Sequence, residues 1–250
     1  MASIETITTD RITTVTIDAP PVNALGPDGW QAIREAFDTA SADQDVRAVI
    51  LRGTPGRFCA GADIAVLAEP QDEEAFMLKI VGQAAAAIRR CRVPVIAAID
   101  GPAHGGGLEL ALACDIKIAS DKATFAASGI NMGLIASVPA LTAAIGKTQA
   151  SLMLLTGKPI DAAQAVSWSL ATLVGDDPSG LAQSIAQDIA SKAPLSTEAN
   201  KIALQSVGFV TPEEHEAIVT KLFTSLEKSA DHKEAVDAFL NKRRPTFGRG

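Results

Sequence analysis

Pro94-Val-Ile-Ala-Ala-Ile99 is an uninterrupted apolar run that ends two residues before Gly101-Pro-Ala-His-Gly-Gly-Gly107, and an apolar stretch then continues to Cys114. An apolar run of this length bounded by turn residues reads as a buried strand, and the glycines read as a turn feeding a short helix. The same pattern occurs earlier, where Val46-Arg-Ala-Val-Ile-Leu51 reads as a mostly buried strand closed by Gly53 to Gly56. Arg11 to Ile17 alternates like a half-buried strand ended by Pro20-Pro21, and Asp115 to Ala119 reads as a further buried strand. Between them lie helical stretches. One starts near Pro27 with Trp30, Ile33, Phe37 and Ala40 at helical spacing, and another covers about Glu73 to Arg90. Strands alternating with helices predict an α/β fold. After about Ile135 strand signals fade and helices dominate, with a capping box at Thr211-Pro-Glu-Glu214.

Composition narrows the function classes. A chain of 250 residues can bury a full core, and its 47% hydrophobic and 20% charged residues are those of an ordinary globular protein. A net charge of −7 argues against nucleic acid as a partner, since phosphate binding wants a basic face. Cys59, Cys91 and Cys114 form no CxxC pair and no zinc pattern, which fits a reducing cytoplasmic setting. Met1-Ala-Ser-Ile-Glu5 carries no signal-peptide pattern, and the apolar segment Val93 to Ile99 is too short to span a membrane. Tyrosine is absent, so no mechanism using a tyrosine acid or base is open.

The chemistry concentrates in two strand exits, Phe58-Cys-Ala-Gly-Ala-Asp-Ile64 and Gly101 to Leu110. Small residues there let the backbone approach a ligand, and Gly105 to Gly107 open a helix whose unpaired N–H groups favour developing negative charge. Two convergent donors form an oxyanion hole; equally, both stretches read as tight turns of an α/β sheet. Rival motifs fail. The triple glycine lacks the third glycine of GxGxxG because Leu110 stands there, and Leu141 to Thr148 lacks the first glycine of a P-loop. His104-Gly-Gly-Gly107 has no accompanying GxSxG, and His104, His215 and His232 have no metal-ligand spacing.

Phe58 to Ile64, followed by Pro94 to Ala111 and Cys114-Asp115, resembles the signature of the crotonase superfamily, the enoyl-CoA hydratase/isomerase family. Pro21-Val-Asn-Ala-Leu25, Leu155-Thr-Gly-Lys158 and Ala238 to Arg243 are similar to further landmarks of that family, in order along nearly the whole chain. The resemblance implies a spiral of ββα turns over residues 1–195 that binds acyl-CoA, followed by a C-terminal helical region, 196–250, that packs between subunits. It implies a homotrimer or dimer of trimers, with Trp168, Phe223 and Phe239 as the large apolar groups such packing would cover. It also implies that the N–H groups of Ala62 and Gly106 form the oxyanion hole. Ala24, Ala62, Asp63 and Ile64 would hold coenzyme A, with Phe239 and Lys242 reaching it from the C-terminal segment. No cofactor beyond the coenzyme A of the thioester, no metal and no membrane partner is implied.

Glu109 matches the first of the two glutamates of the family's hydratases, the general base on the attacking water. Its plainer role is a first-turn carboxylate favoured by the helix dipole, and the two are compatible. The second glutamate is missing: Phe125-Ala-Ala-Ser-Gly-Ile-Asn-Met-Gly133 places Gly129 where it should stand. A proton for the α-carbon must then come from Glu109, from water, or from a neighbour such as Ser128 or Asn131, and His104 packs behind the loop. Hydration of an enoyl-CoA is the leading reading. Isomerisation or C–C cleavage through the same enolate, or an acyl-CoA-binding protein with decayed chemistry, are the alternatives.

Overall fold

The computed structural model describes residues 2–68 and 74–250. The chain begins with two antiparallel strands, β1 (Ser3–Thr9) and β2 (Ile12–Asp18), with Ser3 opposite Asp18 and Thr9 opposite Ile12. Ser-Ile-Glu-Thr-Ile-Thr-Thr has almost no buried residue, so nothing in its polarity marks β1 as a strand. Pairing with β2 makes it one.

The turns of chain from β2 to α5 repeat one unit, a strand of the main sheet, a short strand of a second row, and a helix. β2 leads to β3 (Ala24–Leu25) and α1 (Pro27–Ala42); β4 (Ala48–Gly53) leads to β5 (Gly61–Ala62), α2 (Ile64–Ala68) and α3 (Phe76–Arg90). β6 (Val95–Ile99) leads to β7 (Pro102–His104) and α4 (Gly106–Ala113). β8 (Ile116–Ala119) leads to β9 (Thr124–Ala126), a 3-10 turn (Ser128–Met132) and α5 (Val138–Thr156). β10 (Ile160–Asp161), α6 (Ala162–Ser167), β11 (Leu173–Val174) and α7 (Pro178–Ala190) complete the body. The main sheet has the order β1-β2-β4-β6-β8-β11 and is parallel from β2 onward. In the second row β3 pairs with β5, Cys59 bridges to Ala103, and β7 pairs with β9. This is the spiral of ββα turns.

Both faces of the main sheet are covered. Val15 and Ile17 of β2 pack with Trp30, Phe37 and Ile88 under α1 and α3. Ile12, Ala48, Ile50, Ile96 and Ile118 pack on the opposite face against Ala182 and Ala186 of α7, whose small side chains let the helix lie close. β2 is therefore mostly buried rather than half-buried, because α7, more than 160 residues later, closes its second face. Helix α3 begins at Phe76, whereas the periodicity extends it to Glu73, which lies outside the described residues.

Beyond α7 run α8 (Pro194–Ser206), α9 (Pro212–Glu227) and α10 (Ala230–Leu240). Helix α8 is tied to the body: Lys201 Nζ sits 2.7 Å from Asp115 Oδ2 and donates to Val93 O at 2.9 Å, and Glu198 pairs with Arg92 and Arg249. The capping box at Thr211 and Glu214 forms. Phe223 and Phe239 are exposed, whereas Trp168 is partly buried and packs against the main core. No helix among the described residues is long and apolar enough to cross a membrane.

Candidate active site

The second row of strands brings the two glycine segments face to face. Cys59 N donates to Pro102 O and His104 N donates to Cys59 O, at 3.0 and 3.1 Å, which fixes the Phe58–Ile64 segment against β7. A Cβ on Gly107 would lie 1.9 Å from Cys59 O, and one on Gly61, where φ is +101°, would lie 2.8 Å from His104 O and 3.0 Å from Gly106 N. Only glycine permits these approaches. Asp63 N donates to Leu25 O at 3.0 Å, so Asp63 faces β3. Alternation along the strand turns the preceding N–H, that of Ala62, away from β3 and toward the side where Gly106 lies. Gly106 is the first residue of α4, and the first helical bond is donated by Glu109 to Gly105 O at 3.2 Å. The Gly106 N–H is thus free of the helix's own acceptors and carries the positive end of its dipole.

Two residues outside the sequence-derived site hold this geometry. A Cβ on Gly106 would meet Trp30 Cη2 at 2.7 Å, and Trp30 is fully buried with Nε1 donating to Leu25 O at 2.9 Å. The indole is the floor beneath Gly106. Asn23, also fully buried, accepts from Ala19 N at 2.8 Å and donates to Ile17 O and Phe58 O at 3.0 Å, tying the end of β2 to the strand exit before Cys59. Helical spacing marks Trp30 only as a core residue, and a buried amide used as a clamp has no sequence period at all.

Helix α4 buries Leu108, Leu110, Ala111 and Ala113, and Glu109 is its single charged residue. Glu109 is half-buried, and among the described residues its carboxylate has no hydrogen-bond or ion-pair partner. Partly buried charge without a partner is costly unless water or a ligand serves it. Glu109 stands three residues after Gly106, so the two share one face of the helix, and its side chain leans back toward the N-terminus. The carboxylate therefore lies on the helix face that also presents Gly106. His104 lies on β7 with Nε2 2.9 Å from Thr124 Oγ1, and burial lowers its pKa, so it is a neutral structural residue behind the loop.

Gly129 lies in the 3-10 turn after β9, where the nearest neighbours of a Cβ would be Leu134 O at 3.3 Å and Ala136 Cβ at 3.7 Å. It lines a cavity of about 290 Å³ bounded by Leu134, Ile135, Val138, Leu154 and Leu155. The two neighbours named as proton sources part company. Ser128 Oγ is 3.1 Å from the Cβ position of Gly105, at the edge of the glycine loop, whereas Asn131 Oδ1 is 2.5 Å from that of Gly157, at the far end of α5. Gly105 N also donates to Ala126 O at 2.9 Å, which joins β9 to the glycine loop.

Among the remaining candidates, Ala24 pairs with Gly61 in the β3–β5 ladder, Asp63 Oδ1 accepts from Ala65 N at 2.9 Å, and Ile64 is exposed at the start of α2. Phe239 and Lys242 are exposed on and after α10, and no described hydrogen bond joins them to these loops. Arg243 is engaged by Glu234 and Asp237. Among the described residues no three His, Cys, Asp or Glu side chains gather as a metal site would.

The chain is similar to known proteins in sequence and in fold. The chain is 36% identical over 247 residues to an (E)-benzylidenesuccinyl-CoA hydratase of Thauera aromatica, covering 95% of this chain and 96% of that one. It is 34% identical over 246 residues to a 2,3-dehydroadipyl-CoA hydratase of Escherichia coli K12, covering 95% of each. A crystal structure of an enoyl-CoA hydratase from Bacillus anthracis superposes with a TM-score of 0.94 at 26% identity, over 100% of this chain and 99% of that one. The enoyl-CoA hydratase/isomerase family model matches residues 8–250, and with the ββα spiral and the facing glycine loops the chain belongs to that family.

Proposed function

We propose that this protein is an enoyl-CoA hydratase. The thioester oxygen accepts from the N–H groups of Ala62 and Gly106, which stabilise the negative charge as it develops on that oxygen. Glu109 takes a proton from water as the hydroxyl adds to the β-carbon of the 2-enoyl group, leaving an enolate. The protonated Glu109 then returns that proton to the α-carbon, so one carboxyl acts in turn as base and acid, and H and OH are added in balance. The observation that carries this reading is the half-buried, unpartnered carboxylate of Glu109 on the helix face that also presents Gly106. Ala24, Ala62, Asp63 and Ile64 line the coenzyme A path, with Phe239 and Lys242 contributed from the C-terminal segment. No cofactor is required beyond the coenzyme A of the substrate.

The exposed Phe223 and Phe239 support a homotrimer or dimer of trimers in which the C-terminal helices pack between subunits. A stable monomer by light scattering at micromolar concentration would refute that assembly. Three buried free cysteines suit a cytoplasmic protein. The catalytic reading is tested with a panel of enoyl-CoA thioesters, following loss of enoyl absorbance. Glu109→Gln should lower turnover of any true substrate ~10²–10⁴-fold while thioester affinity stays nearly intact, because binding rests on backbone donors that the change leaves alone. Equal turnover in the variant would reduce Glu109 to a helix-terminal charge.

A further inference from the structure

We propose that the acyl group accepted here is neutral and apolar, medium-chain or aromatic, with its far end in the cavity beside Gly129, and that acyl groups ending in a second carboxylate are rejected. The proposal rests on the hydratase reading for the position of the thioester, and three observations carry it.

The first is continuity. Ala127 and Gly129, both lining the cavity, flank Ser128, whose hydroxyl touches the Gly105 position of the glycine loop. An acyl chain whose carbonyl sits between Ala62 and Gly106 and passes Ser128 enters this cavity next. The second is size. A cavity of about 290 Å³ exceeds by a wide margin the ~150 Å³ that suffices for a benzene ring in an apolar protein interior. Gly129 keeps this volume open, since a longer side chain at that position would project into it. The third is chemistry. Leu134, Ile135, Val138, Leu154 and Leu155 supply the walls, and Ser151 is the one polar side chain on them. Among the described residues no Lys, Arg or His lines the cavity, and the stretch 69–73, Glu-Pro-Gln-Asp-Glu, has no cation in its sequence. A carboxylate laid against this lining would exchange water for apolar walls and find no cation to pair with.

Binding of saturated thioesters isolates the inference from the chemistry. Isothermal titration would compare butyryl-CoA, decanoyl-CoA and the ten-carbon ω-carboxyl analogue, sebacyl-CoA. Full burial of a methylene tightens binding by about 4-fold. With half of the six extra methylenes covered, decanoyl-CoA should bind at least ~30-fold tighter than butyryl-CoA. Sebacyl-CoA should bind no better than butyryl-CoA. Ala136→Phe, filling the cavity, should remove most of the decanoyl advantage and leave butyryl-CoA affinity unchanged. Should that variant fold poorly, Leu155→Lys, at a position 75% exposed, supplies a cation at the rim and should bring sebacyl-CoA toward decanoyl-CoA.

Equal affinity of the wild type for butyryl-CoA and decanoyl-CoA, or sebacyl-CoA binding as tightly as decanoyl-CoA, would overturn the proposal. So would Leu155→Lys reducing the molar mass in light scattering with acyl selectivity unchanged, since the cavity mouth would then be a contact between copies. Selective decanoyl-CoA binding without hydration of any enoyl-CoA would sink the hydratase reading and leave this inference standing. Hydration of crotonyl-CoA without chain-length selectivity would do the reverse.

Discussion

Gly106→Ala tests whether the backbone donor at the head of α4 is held in place by what lies beneath it. The added methyl would stand 2.7 Å from Trp30 Cη2 and 2.9 Å from Cζ2. Ordinary contact begins at 3.4 Å, so the two must separate by 3.4 − 2.7 = 0.7 Å. The indole cannot supply that displacement cheaply. It is fully buried, and its Nε1 is anchored to Leu25 O at 2.9 Å. The backbone at Gly106 therefore moves, and its N–H moves with it. Overpacking of this kind costs about 1–3 kcal/mol of stability. Misplacement of a reacting geometry by most of an ångström costs about 10²-fold in rate, close to the loss of a whole oxyanion donor at ~10²–10³-fold. The assay is kcat and KM on the best enoyl-CoA substrate, with thermal unfolding measured on the same samples. The expected result is a kcat about 10²-fold lower with a smaller change in KM. Trp30→Phe removes the outer ring that the methyl would strike, so in that background Gly106→Ala should cost less, with a coupling on the order of 1–2 kcal/mol. If Gly106→Ala retains kcat within twofold, the Gly106 N–H is not a transition-state donor and the reasoning fails.

Three other outcomes follow from the same geometry. Gly129→Glu requires Leu134 O, 3.3 Å from the Cβ position, to give by a few tenths of an ångström, and should raise crotonyl-CoA hydration ~10-fold by supplying a positioned acid, while weakening decanoyl-CoA binding. The unaltered protein should hydrate crotonyl-CoA slowly, and rapid hydration would mean that a neighbouring residue supplies the proton that Gly129 cannot. Burial holds the His104 pKa below 6.5, so its neutral form stabilises the fold above that value and the contribution is lost as pH falls through the folded pKa. Unfolding free energy should therefore decline between neutral and mildly acidic pH, and His104→Gln should flatten that part of the profile; an unchanged profile would remove His104 as its source.

The order of strands, the glycine-rich exits and the helix carrying Glu109 were legible because each rests on a local pattern. Val95 to Ile99 is apolar at every position, and Gly105 to Gly107 mark a turn in which the backbone can come close to a neighbour. The segments around Ala62 and Gly106 pointed to two expected donors through their resemblance to the family, and the absence of a carboxyl at Gly129 was visible by counting from Phe125. Other features depend on contacts between distant residues, which no local period records. β1 is a strand only because β2 lies beside it, and β2 is covered on both faces only because Ala182 and Ala186 arrive from α7. Ser128 and Asn131 are three residues apart and equivalent by composition, yet the 3-10 turn points one at Gly105 and the other at Gly157. Trp30 beneath Gly106 and Asn23 clamping Phe58 are likewise products of packing, because their partners lie 76 and 35 residues away. The sequence, through the resemblance of the segments around Ala62, Gly106 and Glu109 to those of the family, pointed to the backbone groups and the carboxylate expected to carry the chemistry. The tertiary structure decided what holds them and how much room the acyl group has, since a cavity is the space left between side chains that only folding brings together.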